Sequence, residues 1–354
     1  MSKSKISTII KYLVFVSFGV GLFYYVFHSQ DQIYKEQCLQ NPLSKGKCSL
    51  WEKLIEDIGK LNWYLISLVM VGFIISNLMR ARRWTLMLHP LGIKARLWET
   101  FWAVQLGYFA NLALPRMGEI ARAGSVARRL KAPLEKVLGT IIMDRLLDVI
   151  VLGIFTAVGF FLQTQTLYNF LSRQANVSIW HLMIATLIGI AGIVFVIMLF
   201  RTDRFYHPVI EKIKSKLAGF SEGIMGILKS NRPKEMVFLS FGIWLLYYSM
   251  AILGLKAFAP TAGITLVQGL IVFIIGSLGM IIPTPGGIGP YHFLTMSALG
   301  IYGVSSIDGF SYANLSFLIV QVITISLFGI IGMTVLSKKR PEDQEVYHES
   351  IILQ

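Results

Sequence analysis

Apolar stretches of about 20 residues, each long enough to cross ~30 Å of hydrocarbon, recur along this chain between short segments crowded with Lys and Arg. A soluble domain has no surface on which to carry so much apolar sequence. Of the 354 residues, 55% are hydrophobic and only 15% charged, and the mean hydropathy is +0.63. The expected fold class is an all-α integral membrane protein with about eight hydrophobic segments.

The formal net charge of +14 invites a nucleic-acid reading, but the cations cluster between apolar runs without basic-aromatic repeats or a zinc or RNA-binding signature. No nucleic-acid partner is expected. Cationic loops retained in the cytoplasm, against anionic lipid, account for the excess. The first apolar run, Ile9 to Phe27, has Lys3, Lys5 and Lys11 around its start and no A-x-A-like cleavage site after it, and reads as an uncleaved first helix. The expected location is a bacterial-type plasma membrane, multi-pass, with both termini cytoplasmic.

Charge placement then orders the chain. Residues 1–60 read as one transmembrane helix and an extracytoplasmic loop holding both cysteines, Cys38 and Cys48. A disulfide and two free thiols are both open there, since spacing alone does not set Cβ geometry. Residues 61–335 read as the main membrane domain and 336–354 as a cytoplasmic tail. Leu61 to Met79 crosses inward to a loop carrying Arg80, Arg82, Arg83, Lys94 and Arg96. Phe101 to Leu114 is short, broken at Pro115 and followed by more cations, so it reads as a segment entering and leaving on the cytoplasmic side.

Val137 to Leu162 crosses outward, Trp180 to Phe200 returns, and an amphipathic surface helix with Ile210, Ile213, Leu217, Phe220 and Ile224 on one face follows. Met236 to Phe258 crosses outward, and the last helix, Ala313 to Val335, runs in to Lys338, Lys339 and Arg340. Between them, Ile264 to Gly303 is broken at Pro283 to Pro290 and reads as a second re-entrant hairpin or two short spans. Asp308 falls in the outer loop. The two halves have opposite orientation with breaks in corresponding positions, the pattern of an inverted repeat around a mid-membrane site.

The first break contains Pro115, Arg116, Gly118, Glu119 and Arg122. A helix restarting there presents free amides that attract phosphate or carboxylate, with Arg116 and Arg122 available for bidentate contacts. Alternatively, the break merely ends a hairpin with interfacial arginines. Asp144, Arg145 and Asp148 lie in an otherwise apolar helix, where each lipid-facing charge costs roughly 2.5 to 3.5 kcal/mol. They form a headgroup or proton-relay site, or an internal ion pair locking this helix against the first break.

The second break, with Pro283, Pro285, Gly286, Gly287 and Gly289, cannot continue a helix, and exposed backbone at that depth needs a wet cavity or protein around it. A tight turn at the membrane surface is the competing reading. His292 beside it is a candidate for coupling a proton or a buried structural group. No Walker loop, H-E-x-x-H, G-x-S-x-G or metal-spaced His and Cys cluster occurs, so neither enzyme activity nor a cofactor is expected.

The Arg82-Arg83-Trp84 stretch, the segment Asn111 to Arg122, the "DRLLD" segment Asp144 to Asp148 and the "PTPGGIG" segment Pro283 to Gly289 together resemble the flippase-like proteins that share the transmembrane region of lysylphosphatidylglycerol synthase. The resemblance implies movement of an anionic or aminoacylated phospholipid, or a lipid-linked headgroup, between leaflets. A membrane-embedded enzyme or a scaffold for a lipid-synthesis enzyme is the alternative. It also implies Glu near His292, Arg near Gln321 and Glu-Arg where this chain has Asp144-Arg145, departures that bear on the headgroup. The tail after Val335 leaves no room for a synthase domain, so lysyl transfer is not expected.

Overall fold

The computed structural model describes residues 3–39, 48–165 and 232–338, all of whose regular elements are helices. The expected span from Trp180 to Phe200, the amphipathic helix after it and all but the start of the tail lie outside the described residues. In chain order the helices are α1 (Lys3–Leu39), α2 (Leu50–Gly59), α3 (Trp63–Leu88), α4 (Leu97–Ala113), α5 (Met117–Arg129) and α6 (Leu134–Leu162). After the undescribed segment come α7 (Pro233–Ala257), α8 (Leu266–Ile281), α9 (Pro290–Gly300) and α10 (Ser306–Ser337). Within α10 the hydrogen bonding widens to the π pattern over Phe317–Thr324.

Local chemistry sets these boundaries. Asn62 caps α3 by accepting from the Leu65 N–H, Thr265 and Gln268 cap α8 reciprocally, and Ser305 accepts from Asp308 N–H at the start of α10. Pro233 and Pro290 open α7 and α9, where a missing N–H costs nothing. Among the described residues, four helices are long and apolar enough to cross a membrane: α3 with its following turn, α6, α7 and α10. The shorter helices form two antiparallel pairs, α4 with α5 and α8 with α9.

Both pairs rely on bare backbone contact. A Cβ on Gly118 would lie 2.3 Å from the Gly107 carbonyl oxygen, and one on Gly279 would lie 2.8 Å from Tyr291 Cα. Around these pairs, α3 packs along α7, α4 along α10, and α6 against α8. Buried Trp84, Val104, Ala123 and Ile141 form one core, and Ile66, Leu255, Leu299 and Ile319 belong to another.

Three expectations are corrected. Arg80, Arg82 and Arg83 are not in a loop: α3 continues to Leu88 and buries Arg80 and Arg83 completely, which is affordable because carboxylates of α6 meet them. Asp308 lies in the first turn of α10, held by Lys53 of α2 at 3.1 Å. The stretch from Gln30 onward is not simply a loop, because α1 runs to Leu39 and α2 follows. Cys38 and Cys48 are disulfide-bonded and tie those two helices together.

Candidate functional site

A cavity of about 730 Å³ opens among α3 to α10, where the two chain breaks meet. Their contact is direct: a Cβ on Gly286 would lie 2.8 Å from Leu112 Cδ2. Two conformations create the first break. Leu114 is extended, and Arg116 takes a left-handed φ of 64°, unusual for a residue with a Cβ. At the second break Gly286, Gly287 and Gly289 have φ of 57°, 83° and 87°, a run that glycine alone accepts readily.

The cavity's polar lining comes from both halves of the chain. Arg80, Arg116, Glu119, Arg145 and Asp148 supply charge, and Tyr108, Asn111, Tyr247, Thr284, Tyr291, Thr295 and Gln321 supply uncharged groups among apolar side chains. Arg116 is exposed and has no ion-pair partner among the described residues. The buried Thr284 hydroxyl has no hydrogen-bond partner among the described residues. A mostly apolar hollow with a few polar groups suits an amphiphile.

Behind the cavity lies an ion network that holds three helices together. Arg83 reaches Asp144 at 2.6 Å and Asp148 at 2.7 Å; Arg80 reaches Asp148 at 2.7 Å and Asp144 at 3.2 Å. Arg122 brings α5 in, at 2.8 Å from Asp144, with its guanidinium 3.9 Å from the centre of the Trp84 ring. Both carboxylate oxygens of Asp144 meet guanidinium groups, so its burial is compensated. Glu119 and Arg145, joined at 3.0 Å, sit at the edge of this network facing the cavity.

The residues singled out in the sequence separate accordingly. Pro115, Arg116, Glu119, Arg145, Asp148, Pro283, Gly286 and Gly287 line the cavity. Arg122 and Asp144 do not: both are buried in the ion network, so Arg122 has no free face toward the cavity. Asp148 leans on α3 rather than on its own helix, with Arg145 Nη1 3.9 Å away. Gly118 permits the α4–α5 contact, and its N–H donates to Asn111 Oδ1 at 2.7 Å. The Met117 N–H goes to the Leu114 carbonyl, so the start of α5 is not the set of free amides that the proline predicts.

Pro285 and Gly289 shape the second break from outside the cavity. His292 is buried among Phe23, Phe310 and Phe317, where its Nδ1 accepts from the Gly289 N–H at 3.4 Å. It does not line the cavity. Arg80, Tyr108, Asn111, Tyr247, Tyr291 and Thr295 went unassigned in the sequence. For Arg80 a signal existed: Arg80 and Arg83 at i and i+3 complement Asp144 and Asp148 at i and i+4.

The groups of three or more His, Cys, Asp or Glu that a metal requires do not occur among the described residues. No curated protein and no solved structure matches the chain significantly. A family model described as the lysylphosphatidylglycerol synthase transmembrane region matches residues 49–331, from α2 into α10. Because that match spans most of the chain, including both breaks, the ion network and the cavity, the protein belongs to this family of membrane proteins tied to lipid or envelope biosynthesis.

Proposed function

We infer that the protein is a flippase-like lipid transporter, not an enzyme, that carries an anionic phospholipid or lipid-linked headgroup between the leaflets of a bacterial-type plasma membrane. The observation that carries this reading is the cavity where the two breaks meet, with Arg116 and Arg145 facing a mostly apolar hollow large enough for a headgroup. Arginine binds phosphate oxygens through two parallel N–H bonds, and an apolar wall accepts acyl chains. Membership of a lipid-biosynthesis family agrees with an amphiphilic substrate.

The helix packing supports an inverted repeat of α3 to α6 and α7 to α10. Each half runs long helix, broken pair, long helix; α4 lies on the last helix of the other half, and α8 does the same in reverse. In that arrangement the broken pairs are re-entrant hairpins, both termini are cytoplasmic, and rocking of one half against the other exposes the cavity alternately.

The test is a dithionite-quenching assay in proteoliposomes with labelled anionic, zwitterionic and aminoacylated lipids. Wild type moves at least one class, and Arg116→Ala and Arg145→Ala slow it by about tenfold or more while remaining folded. No flux for any class removes the transport reading.

A further inference from the structure

Glu119 stands between two cations and satisfies only one. Its Oε1 accepts from Arg145 Nη2 at 3.0 Å, whereas its buried Oε2 has no hydrogen-bond partner among the described residues. One turn along α5, Arg122 is 4% exposed and gives Nη1 to Asp144, leaving its buried Nε and Nη2 without acceptors. Residues i and i+3 on a helix are neighbours, so the unused face of Arg122 is within reach of the Glu119 side chain. A second space of about 10 Å³, bordered by Gly118, Glu119, Arg122 and Arg145, lies between them.

Arg145 is just as incompletely held. Among the described residues its Nε has no partner and its Nη1 is 3.9 Å from Asp148, so the single bond to Glu119 is its main anchor. Arg80 and Arg83, by contrast, each engage both aspartates, and loosening either strands a buried charge. The pair that can exchange is therefore Glu119 with Arg145. Both residues border the large cavity as well as the small space.

We propose that Glu119 is a counter-anion switch: with the cavity empty it neutralises Arg145, and an entering phosphate group displaces it onto the open face of Arg122. The carboxylate stays paired in both positions, which avoids the cost of an isolated charge in a low-dielectric site. The phosphate gains the fork of Arg145, and Arg116 lines the same cavity. The ligand is a phosphate mono- or diester; that it arrives on a lipid rests on the transport reading above.

The experiment is calorimetric titration of the full-length protein in detergent with dihexanoyl-phosphatidylglycerol and, separately, inorganic phosphate. Glu119→Gln is expected to tighten binding by about three- to tenfold, the size of one released ion pair. Glu119→Asp keeps the charge but shortens the reach to Arg145, and is expected to tighten binding as well, which a purely electrostatic repulsion does not predict. Arg145→Gln weakens binding, and adding Glu119→Gln to it restores nothing.

Unchanged or weaker binding in either Glu119 variant overturns the switch, as does a gain that persists without Arg145 or an absence of binding to both probes. The probe that binds distinguishes headgroup from free phosphate. Equilibrium binding needs no lipid movement: wild-type binding without flux removes the transport reading alone, and flux with affinity unmoved at Glu119 removes the switch alone.

Discussion

Arg83 and Asp144 are both completely buried, on α3 and α6, and their charged groups meet at 2.6 Å. Asp144 also receives Arg80 and Arg122, so one carboxylate on α6 joins α3 and α5 to its own helix. Asp144→Ala leaves those guanidiniums facing one another and is expected to destabilise the protein by about 3 to 5 kcal/mol. Thermal unfolding in detergent measures it, and a melting temperature near that of wild type defeats the idea.

The α4–α5 pair depends on a missing side chain. Gly118→Ala places a Cβ 2.3 Å from the Gly107 carbonyl oxygen and 2.5 Å from Asn111 Nδ2, and the arms must part to admit it. A loss of about 1 to 3 kcal/mol or more is expected. Gly124→Ala, on the same helix, meets nothing within 4 Å and is expected to be neutral or to gain up to about 1 kcal/mol from helix propensity. Equal effects of the two substitutions contradict the packing argument.

Asp31, near the C-terminal end of α1, joins that helix to α2. Burial alone raises its carboxyl, but the Lys35 ammonium and the Leu50 N–H, 3.0 Å away, outweigh burial and hold it below the usual carboxylate range. A depressed folded-state value means that the stabilisation is complete above the unfolded-state value and is lost as pH falls through the folded one. Exchange of the Leu50 amide is therefore expected to quicken below about pH 4, relative to intrinsic rates, and to lose that pH dependence in Asp31→Asn.

The Cys38–Cys48 bond closes a short loop at the same junction. Replacing both with Ser is expected to cost about 2 to 3 kcal/mol, chiefly by freeing the unfolded chain. Unfolding with and without reductant checks it: wild type should shift on reduction, and the double variant should not respond.

Membrane class, helical content and the places where helices break were legible in the sequence because each is local. Apolar length decides whether a segment spans, Pro283 to Gly289 cannot continue an α-helix, and Pro115 followed by Gly118 marks the first break. Charge in the sequence was harder to place. Arg80 and Arg83 read as a cytoplasmic loop because cations beyond an apolar run follow the positive-inside pattern, and nothing local distinguishes an arginine that meets an aspartate sixty residues later.

The candidate site divides along the same line. Sequence alone determined that Arg116, Glu119, Arg145 and the glycine-rich break were unusual for a membrane segment, since desolvation penalises each of them. Only the tertiary structure decided which of them face the cavity, that Arg122 and Asp144 meet in the ion network instead, and that His292, on α9, packs among Phe23, Phe310 and Phe317. Pairing and orientation are set by the packing of α3, α5 and α6, and a buried charge takes whichever partner that packing brings within about 3 Å.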